Sequence, residues 1–339
     1  MASVEVTPRP KRQIKKRDIK IAVITIFLLF LAIFAYFYWT DRNPFQVVGN
    51  AIGPVTPPTP LFGIYGSGTM GPLKNPMGVT VTGRRIFVTD TGNHRVAVFD
   101  YDGNPLYTFG KEGSGKGQFG FPYGITADNS GLLYIADLYN GSIAVYTQAG
   151  QFVKYFLDPK ANLVKQPAGI FFDSSTNSIF VTDVALNKVM QFDLNGKKLL
   201  EMGARGNGAG QLLSPNDVWV TGNNIIVSDT GNDRVDVFDR SGKYVGLNLG
   251  DDQNLGPAKS AFVNTRGVVV DGRGTLFVVS NLTDKVYAFA KDGHKPYPPF
   301  GSLGQGNDQF SLPNGAFVDN QGRLYFADTM NQRVMVYQD

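Results

Sequence analysis

Short runs of apolar residues, separated by turns, recur along most of the chain. In the first repeating unit the runs are Val79–Val81, Ile86–Thr89 and Val96–Phe99, followed by a weaker run at Leu106–Phe109. They are rich in β-branched and aromatic residues and are bounded by Gly, Asn and Asp, as strands and turns are. Outside 21–39 the sequence shows no helical period. The pattern therefore predicts four strands per unit and an all-β body.

The unit occurs six times. The six blocks cover residues 75–103, 121–150, 166–196, 214–242, 264–293 and 312–339. Each block has one marker position, and these positions are 45 to 50 residues apart: Gly78, Gly124, Gly169, Asp217, Gly267 and Gly315. A period of this size is typical of solenoids and propellers. Four antiparallel strands repeated around an axis form the blades of a propeller.

The phase of the repeat favours a closed propeller over a solenoid. The last unit ends inside its third strand, at Val334–Tyr337, and residues 61–66 (LFGIYG) are similar to the fourth strand at 106–110 (LYTFG). Pairing of these two segments would close the ring and remove an exposed strand edge. We therefore expect a six-bladed β-propeller of four-stranded antiparallel blades over 61–339, closed by a strand at 61–66.

The units resemble the NHL repeat. The resemblance lies in Pro-x-Gly followed by Asp-x-x-Asn-x-Arg-Val-x-Val-Phe, and it covers about residues 61–339. It implies a binding platform for proteins, peptides, glycans or RNA, and some relatives are enzymes. Because the Asp and Arg recur in several blades, and Asp caps turns while Arg offers a bidentate partner, we interpret them as scaffold. The best matches are Asp90 and Arg95, Asp229 and Arg234, and Asp328 and Arg333.

The N-terminal region has a different composition. Residues 21–39 are 19 consecutive uncharged residues that end in an aromatic cluster, and about 20 apolar residues cross a bilayer. Eight of the basic residues precede position 43. We predict a cytoplasmic basic segment at 1–20, a transmembrane signal-anchor helix at 21–39, a Pro-rich stalk at 40–60 and an extracytoplasmic propeller. A cleavable signal peptide and a stalk packed as a loop are the alternatives.

Charge and composition exclude several function classes. The chain has no Cys and two His, which removes disulfides, thiolate metal sites and three-histidine zinc sites. Residues 43–339 carry 24 basic and 25 acidic residues, so the net charge of +4 comes from the N-terminus. This argues against nucleic-acid binding. The run GKEGSGKG at 110–117 lacks the Ser or Thr of a phosphate-binding loop. An exported domain without Cys also favours a prokaryotic source.

The candidate site lies where the Pro-x-Gly elements meet at the central mouth. The middle residues of these elements are Met77, Tyr123, Ala168, Asn216, Arg266 and Asn314. Their variety exceeds what a scaffold requires, so we predict a pocket that binds a protein, peptide or glycan at the cell surface. Its residues would be Met77, Tyr123, Asn216, Asp217, Arg266 and Asn314.

Two alternatives remain open for this mouth. The same side chains could fill the channel without any ligand. Propellers resembling gluconolactonase hold calcium near the mouth, which makes a calcium-dependent hydrolase the second hypothesis, with Asn216, Asp217 and Asn314 as ligands. The sequence predicts no catalytic residue and no other cofactor.

Overall fold

The computed structural model describes residues 56–157, 159–245, 261–291, 293 and 295–339. These residues contain strands and single turns of 3-10 helix, and no α-helix. The 3-10 turns are Gly68–Met70, Thr91–Asn93, Pro159–Ala161, Thr230–Asn232 and Asn281–Thr283. The strands are β1 (Thr59–Ile64), β2 (Pro76–Thr82), β3 (Arg85–Asp90), β4 (Arg95–Asp100), β5 (Pro105–Phe109), β6 (Pro122–Ala127), β7 (Leu133–Asp137), β8 (Ser142–Tyr146), β9 (Phe152–Tyr155), β10 (Pro167–Asp173), β11 (Ser178–Asp183), β12 (Lys188–Asp193), β13 (Lys198–Met202), β14 (Asp217–Thr221), β15 (Asn224–Asp229), β16 (Arg234–Asp239), β17 (Thr265–Val270), β18 (Leu276–Ser280), β19 (Lys285–Phe289), β20 (Pro313–Val318), β21 (Arg323–Asp328) and β22 (Arg333–Gln338).

The strands form six antiparallel sheets, one for each repeat. Blades 1 to 3 follow the order β2-β3-β4-β5, β6-β7-β8-β9 and β10-β11-β12-β13. Blades 4 and 5 have three strands each among the described residues, and in each a single bridge occupies the fourth position: Phe238 with Tyr244, and Val286 with Phe300. The predicted all-β, six-bladed propeller is confirmed.

The sixth blade joins the two ends of the propeller. Its order is β1-β22-β21-β20, so the first strand of the propeller forms the outer edge of the last blade. The sequence places this closing strand at 61–66, and the paired strand in the structure spans Thr59–Ile64. The pairing satisfies the backbone groups along the free edge of β22.

A ring of small residues lets the inner strands of neighbouring blades approach closely. A Cβ added to Gly124 would lie 2.3 Å from the backbone oxygen of Ala168, and one added to Gly315 would lie 2.3 Å from that of Met77. Equivalent contacts occur at Gly78, Gly169 and Gly267. These five glycines are therefore required by backbone packing. Blade 4 carries Asp217 at this position.

The core consists of apolar layers between adjacent blades. One layer packs Phe87 and Val98 of blade 1 against Ile135 and Ala144 of blade 2. Another packs Ile64 of the closing strand with residues of blades 1 and 6. Since each strand presents alternate residues to the two neighbouring blades, nearly every apolar residue of the middle strands is buried.

The predictions for 1–20 and 21–39, and most of that for the stalk at 40–60, fall on residues 1–55, outside the described part. Among the residues that are described, no helix has the length and apolar character needed to cross a membrane.

Candidate functional site

The polar mouth is built by residues at the start of the inner strands. A central space is lined by Met77, Tyr123, Asn216, Arg266 and Asn314, and its cavity volume is about 50 Å³. Ala168 is buried in the same ring. The sequence predicted that these positions converge, and four of them, from blades 2, 4, 5 and 6, are joined by hydrogen bonds. Met77 lines the space with an apolar side chain.

Arg266 and Tyr123 form the centre of the network. Arg266 Nη1 donates to Asn216 Oδ1 at 2.6 Å and to the Tyr123 hydroxyl at 3.1 Å. Arg266 Nε donates to Asn264 Oδ1 at 2.6 Å. Two edges of the guanidinium are thereby anchored, so its orientation in the mouth is determined.

The Tyr123 hydroxyl bridges the two asparagines. Its oxygen lies 2.7 Å from Asn216 Oδ1 and 2.9 Å from Asn314 Oδ1. A hydroxyl has one hydrogen, so Tyr123 donates to one of these two oxygens at a time. Burial raises the pKa of Tyr123, against the opposing charge of Arg266. Tyr123 is therefore neutral at physiological pH and remains a donor.

Asp217 is separate from this network. Its Oδ1 accepts from the Val218 amide at 2.9 Å, and its Oδ2 accepts from the Val268 amide of blade 5 at 3.0 Å. Burial raises the pKa of this carboxyl to about 7, although both amide bonds favour the charged form. Asp217 thus connects blades 4 and 5 where the other blades have glycine.

The mouth does not fit a calcium ion. Calcium takes six to eight oxygen ligands, whereas Asn216 Oδ1 already accepts from the cationic Arg266 and both oxygens of Asp217 accept from backbone amides. Among the described residues, no three His, Asp or Glu side chains are grouped as metal ligands would be. The calcium hypothesis for Asn216, Asp217 and Asn314 is therefore not supported by their geometry.

The repeated Asp and Arg act as clamps on the loops that enter blades 1, 4 and 6. In blade 6, Arg333 Nε donates to Asp328 Oδ2 at 2.7 Å, and its other nitrogens donate to the backbone oxygens of Gln305, Gly306 and Gln309. In blade 4, Arg234 is paired with Asp229 at 3.0 Å. Its Nη atoms hold the backbone oxygens of Asn207, Gly208 and Gln211.

Blade 1 has a weaker version of the same clamp. Arg95 pairs with Asp90 at 2.7 Å and reaches one loop oxygen, that of Pro72, at 3.5 Å. The clamped loops have their carbonyl oxygens turned toward these arginines. The Asp and Arg clamps therefore stabilise the scaffold, which agrees with our interpretation of the repeated motif.

The glycine-rich run at 110–117 belongs to a loop of the same type. Gln118 Oε1 accepts from the Gly115 amide at 2.8 Å, as Gln211 does from Gly208 and Gln309 from Gly306. The run joins β5 to β6 and no helix follows it. A helix N-terminus, on which a phosphate-binding loop depends, is therefore missing from this described part of the chain.

Sequence reasoning missed a set of exposed apolar residues around the mouth. Tyr139, Leu282 and Met330 are 69%, 56% and 52% exposed. Each lies two residues after the repeat Asp or its counterpart, Ser280, in the turn between the second and third strands. Blades 1 and 4 have Gly92 and Gly231 there. An alignment of the six units at this position would have identified them.

Two family models match parts of the chain. One describes the NHL repeat and matches residues 73–99, and the other describes a 6-bladed beta-propeller and matches residues 159–256.

Two named relatives extend this likeness. E3 ubiquitin-protein ligase NHLRC1 of Homo sapiens is 26% identical over 285 residues, 80% of this chain and 68% of that protein. Protein brain tumor of Drosophila melanogaster is 32% identical over 145 residues, 42% of this chain. The chain spans 14% of the length of that fly protein.

Solved structures share the fold at low identity. A protein of unknown function from Bacteroides thetaiotaomicron has a TM-score of 0.58 at 14% identity, with 78% of this chain and 70% of that chain covered. An inactive virginiamycin B lyase from Staphylococcus aureus, solved with quinupristin, has a TM-score of 0.55 at 16% identity, with 82% and 87% covered. The six repeats, their register and the two family models together show a six-bladed β-propeller with NHL-repeat sequence, and the solved structures share its fold.

Proposed function

We propose that this propeller is a binding platform that holds a protein or peptide on one face. We call this the top face: the loops before the first strand of each blade and the turns between the second and third strands. In an antiparallel blade these segments lie on the same side, and the mouth opens there. The observation that carries the proposal is the exposure of Tyr139, Leu282 and Met330 at equivalent turn positions.

These three side chains are not needed by the scaffold. The same turn is made with glycine in blades 1 and 4, at Gly92 and Gly231. Exposed apolar side chains that share a face with polar groups are features of surfaces that bind other proteins. The network of Tyr123, Asn216, Arg266 and Asn314 supplies directional polar contacts at the centre of the same face.

The location of the platform is part of the proposal. An anchor at 21–39, with the basic residues of 1–20 in the cytoplasm, would place the propeller outside the cytoplasm at the cell membrane. The support is the uncharged 19-residue segment and the basic residues that precede it.

Site-specific cross-linking in native cells tests the top face. A photoreactive residue would replace Tyr139, Leu282 or Met330 in the full chain. Matched controls would replace Leu106 and Leu199, which are 47% and 50% exposed on outer strands. We expect discrete protein adducts from the three top-face positions and none from the controls. Equal yields at all five positions, or no adduct at the top face, would contradict the proposal.

A further inference from the structure

Arg266 is the starting point, because its charge has no counterion in the part of the chain that the structure describes. Its three hydrogen bonds go to the neutral groups Asn264 Oδ1, Asn216 Oδ1 and the Tyr123 hydroxyl. Within the described residues no carboxylate lies within ion-pair distance of it. The clamp arginines differ, since Arg95, Arg234 and Arg333 each pair with an Asp within 3.0 Å.

One edge of this guanidinium remains available. Nη1 and Nε make all the hydrogen bonds that the described structure gives Arg266, which leaves the two N–H groups of Nη2 without a protein acceptor. The Arg266 side chain is half-buried, and its Nη2 is not a buried atom, so solvent reaches it. A partly desolvated cation held in place with free donors is suited to an anion, because orienting it costs no further entropy.

Aromatic rings lead from this cation to the rim of the top face. The rings of Tyr123 and Phe121 are stacked with centroids 6.2 Å apart, and those of Phe121 and Tyr139 are 4.6 Å apart. Tyr123 contacts Arg266 through its hydroxyl at 3.1 Å. The half-buried Phe121 and the exposed Tyr139 therefore form an apolar surface next to the charged group.

We propose that Arg266 receives the carboxylate of a bound peptide, with an apolar side chain one or two residues away packed on Phe121 and Tyr139. This inference rests on the proposed top-face binding and names its ligand chemistry. A carboxylate fits because its single negative charge matches the single positive charge of Arg266, and an Nη2 N–H can donate to one of its oxygens. A phosphate carries nearly two negative charges and is usually bound by a cluster of cations. The amide nitrogens of Asn216 and Asn314 already donate to the hydroxyls of Thr230 and Thr329. Arg266 therefore supplies the donors for the carboxylate.

Selection from peptide pools tests the carboxylate and its source. The purified full chain would be offered random peptides without Asp or Glu, once with a free C-terminal carboxylate and once amidated. A third pool would be amidated and contain Asp and Glu, so that side chains supply the only carboxylates. We expect enrichment from the first or the third pool, and the richer one identifies the source. The best peptide should bind at least about tenfold more tightly than its carboxylate-free counterpart.

Variants assign the preference to Arg266. Arg266→Gln should abolish the difference between acid and amide, and Arg266→Lys should retain part of it because the charge remains. Arg84→Gln, which removes an exposed arginine from the opposite face, should leave it unchanged. Thermal unfolding of each variant confirms that it is folded.

The outcomes separate this inference from the proposed function. If amidated peptides bind as tightly as the acids, or if folded Arg266→Gln retains the preference, the carboxylate site is wrong while top-face binding stands. If no pool is enriched and the cross-linking of Tyr139, Leu282 and Met330 also gives no adduct, both proposals are wrong.

Discussion

Asp328 and Arg333 form an ion pair of 2.7 Å whose side chains are 0% and 2% exposed. The corresponding pair in blade 1, Asp90 and Arg95, has the same length, but its arginine is 19% exposed. The same two residue types are thus used at different depths. A buried charge that loses its partner is costly, whereas an exposed one regains water.

This difference predicts unequal effects of removing the arginine. Arg333→Met would remove the cation that pairs with Asp328 and the donor to three loop carbonyls, and we expect a loss of about 3–5 kcal/mol in the free energy of unfolding. Arg95→Met should cost clearly less, since it holds fewer loop groups and is partly hydrated. Denaturant unfolding of both variants measures this. Equal losses would show that burial of the clamp is not what stabilises it.

The inner ring of glycines predicts a strict size limit. Gly124→Ala would place a methyl group 2.3 Å from the backbone oxygen of Ala168. Since backbone must move, we expect a loss of at least about 1–3 kcal/mol, seen as a lower thermal midpoint. Gly272→Ala is the matched control, because a Cβ there meets nothing within 4 Å. A Gly124→Ala protein as stable as the control would refute the close approach of blades 2 and 3.

Asp236 predicts a pH dependence of stability. It is buried where other blades carry Ala97 and Ala144. Its Oδ1 has no hydrogen-bond partner among the described residues, and its Oδ2 accepts from Arg234 at 3.0 Å. Burial raises the pKa of Asp236 to about 7, against the opposing effect of Arg234. The folded state therefore prefers the protonated acid, so its contribution to stability is complete below about pH 4 and lost as the pH rises through about 7.

The Asp236→Ala variant removes this loss. Relative to wild type, the variant should gain about 2–4 kcal/mol between pH 4 and pH 8, measured by denaturant unfolding at each pH. Asp239→Ala on the same strand is a control of opposite sign. Hydrogen bonds from Ser241 and the Lys243 amide lower the pKa of Asp239, so that variant should lose stability relative to wild type only as the pH rises toward about 4. Its difference from wild type should stay constant between about pH 4 and pH 8. A pH-independent difference for Asp236→Ala would contradict the assignment.

The membrane proposal predicts a labelling pattern. The chain has no Cys, so a single introduced thiol reports its own location. Asn129→Cys, at an exposed turn of blade 2, should react with a membrane-impermeant maleimide in intact cells. Ala2→Cys should react after lysis only. The reverse pattern, or labelling of both in intact cells, would overturn the proposed orientation.

Much of the mouth could be predicted from the repeat. The Pro-x-Gly register placed Tyr123, Asn216, Arg266 and Asn314 together, since equivalent residues of radial repeats meet near the axis. The repeat could not show that Arg266 bonds Asn216 or that Asp217 is used by backbone amides. Arg266 and Asn216 are 50 positions apart, and Asp217 reaches the Val268 amide of the next blade, so these contacts depend on how side chains extend between blades.

The sequence by itself determined the number of blades and their strand pattern, because both are local patterns repeated six times. The recurrence of Asp and Arg in blades 1, 4 and 6 indicated their scaffold role. Tertiary structure alone decided which groups are left without partners. The free edge of Arg266 and the exposure of Tyr139, Leu282 and Met330 follow from what neighbouring blades do or do not cover. Burial and hydrogen-bond saturation are properties of several blades together, and no single repeat contains them.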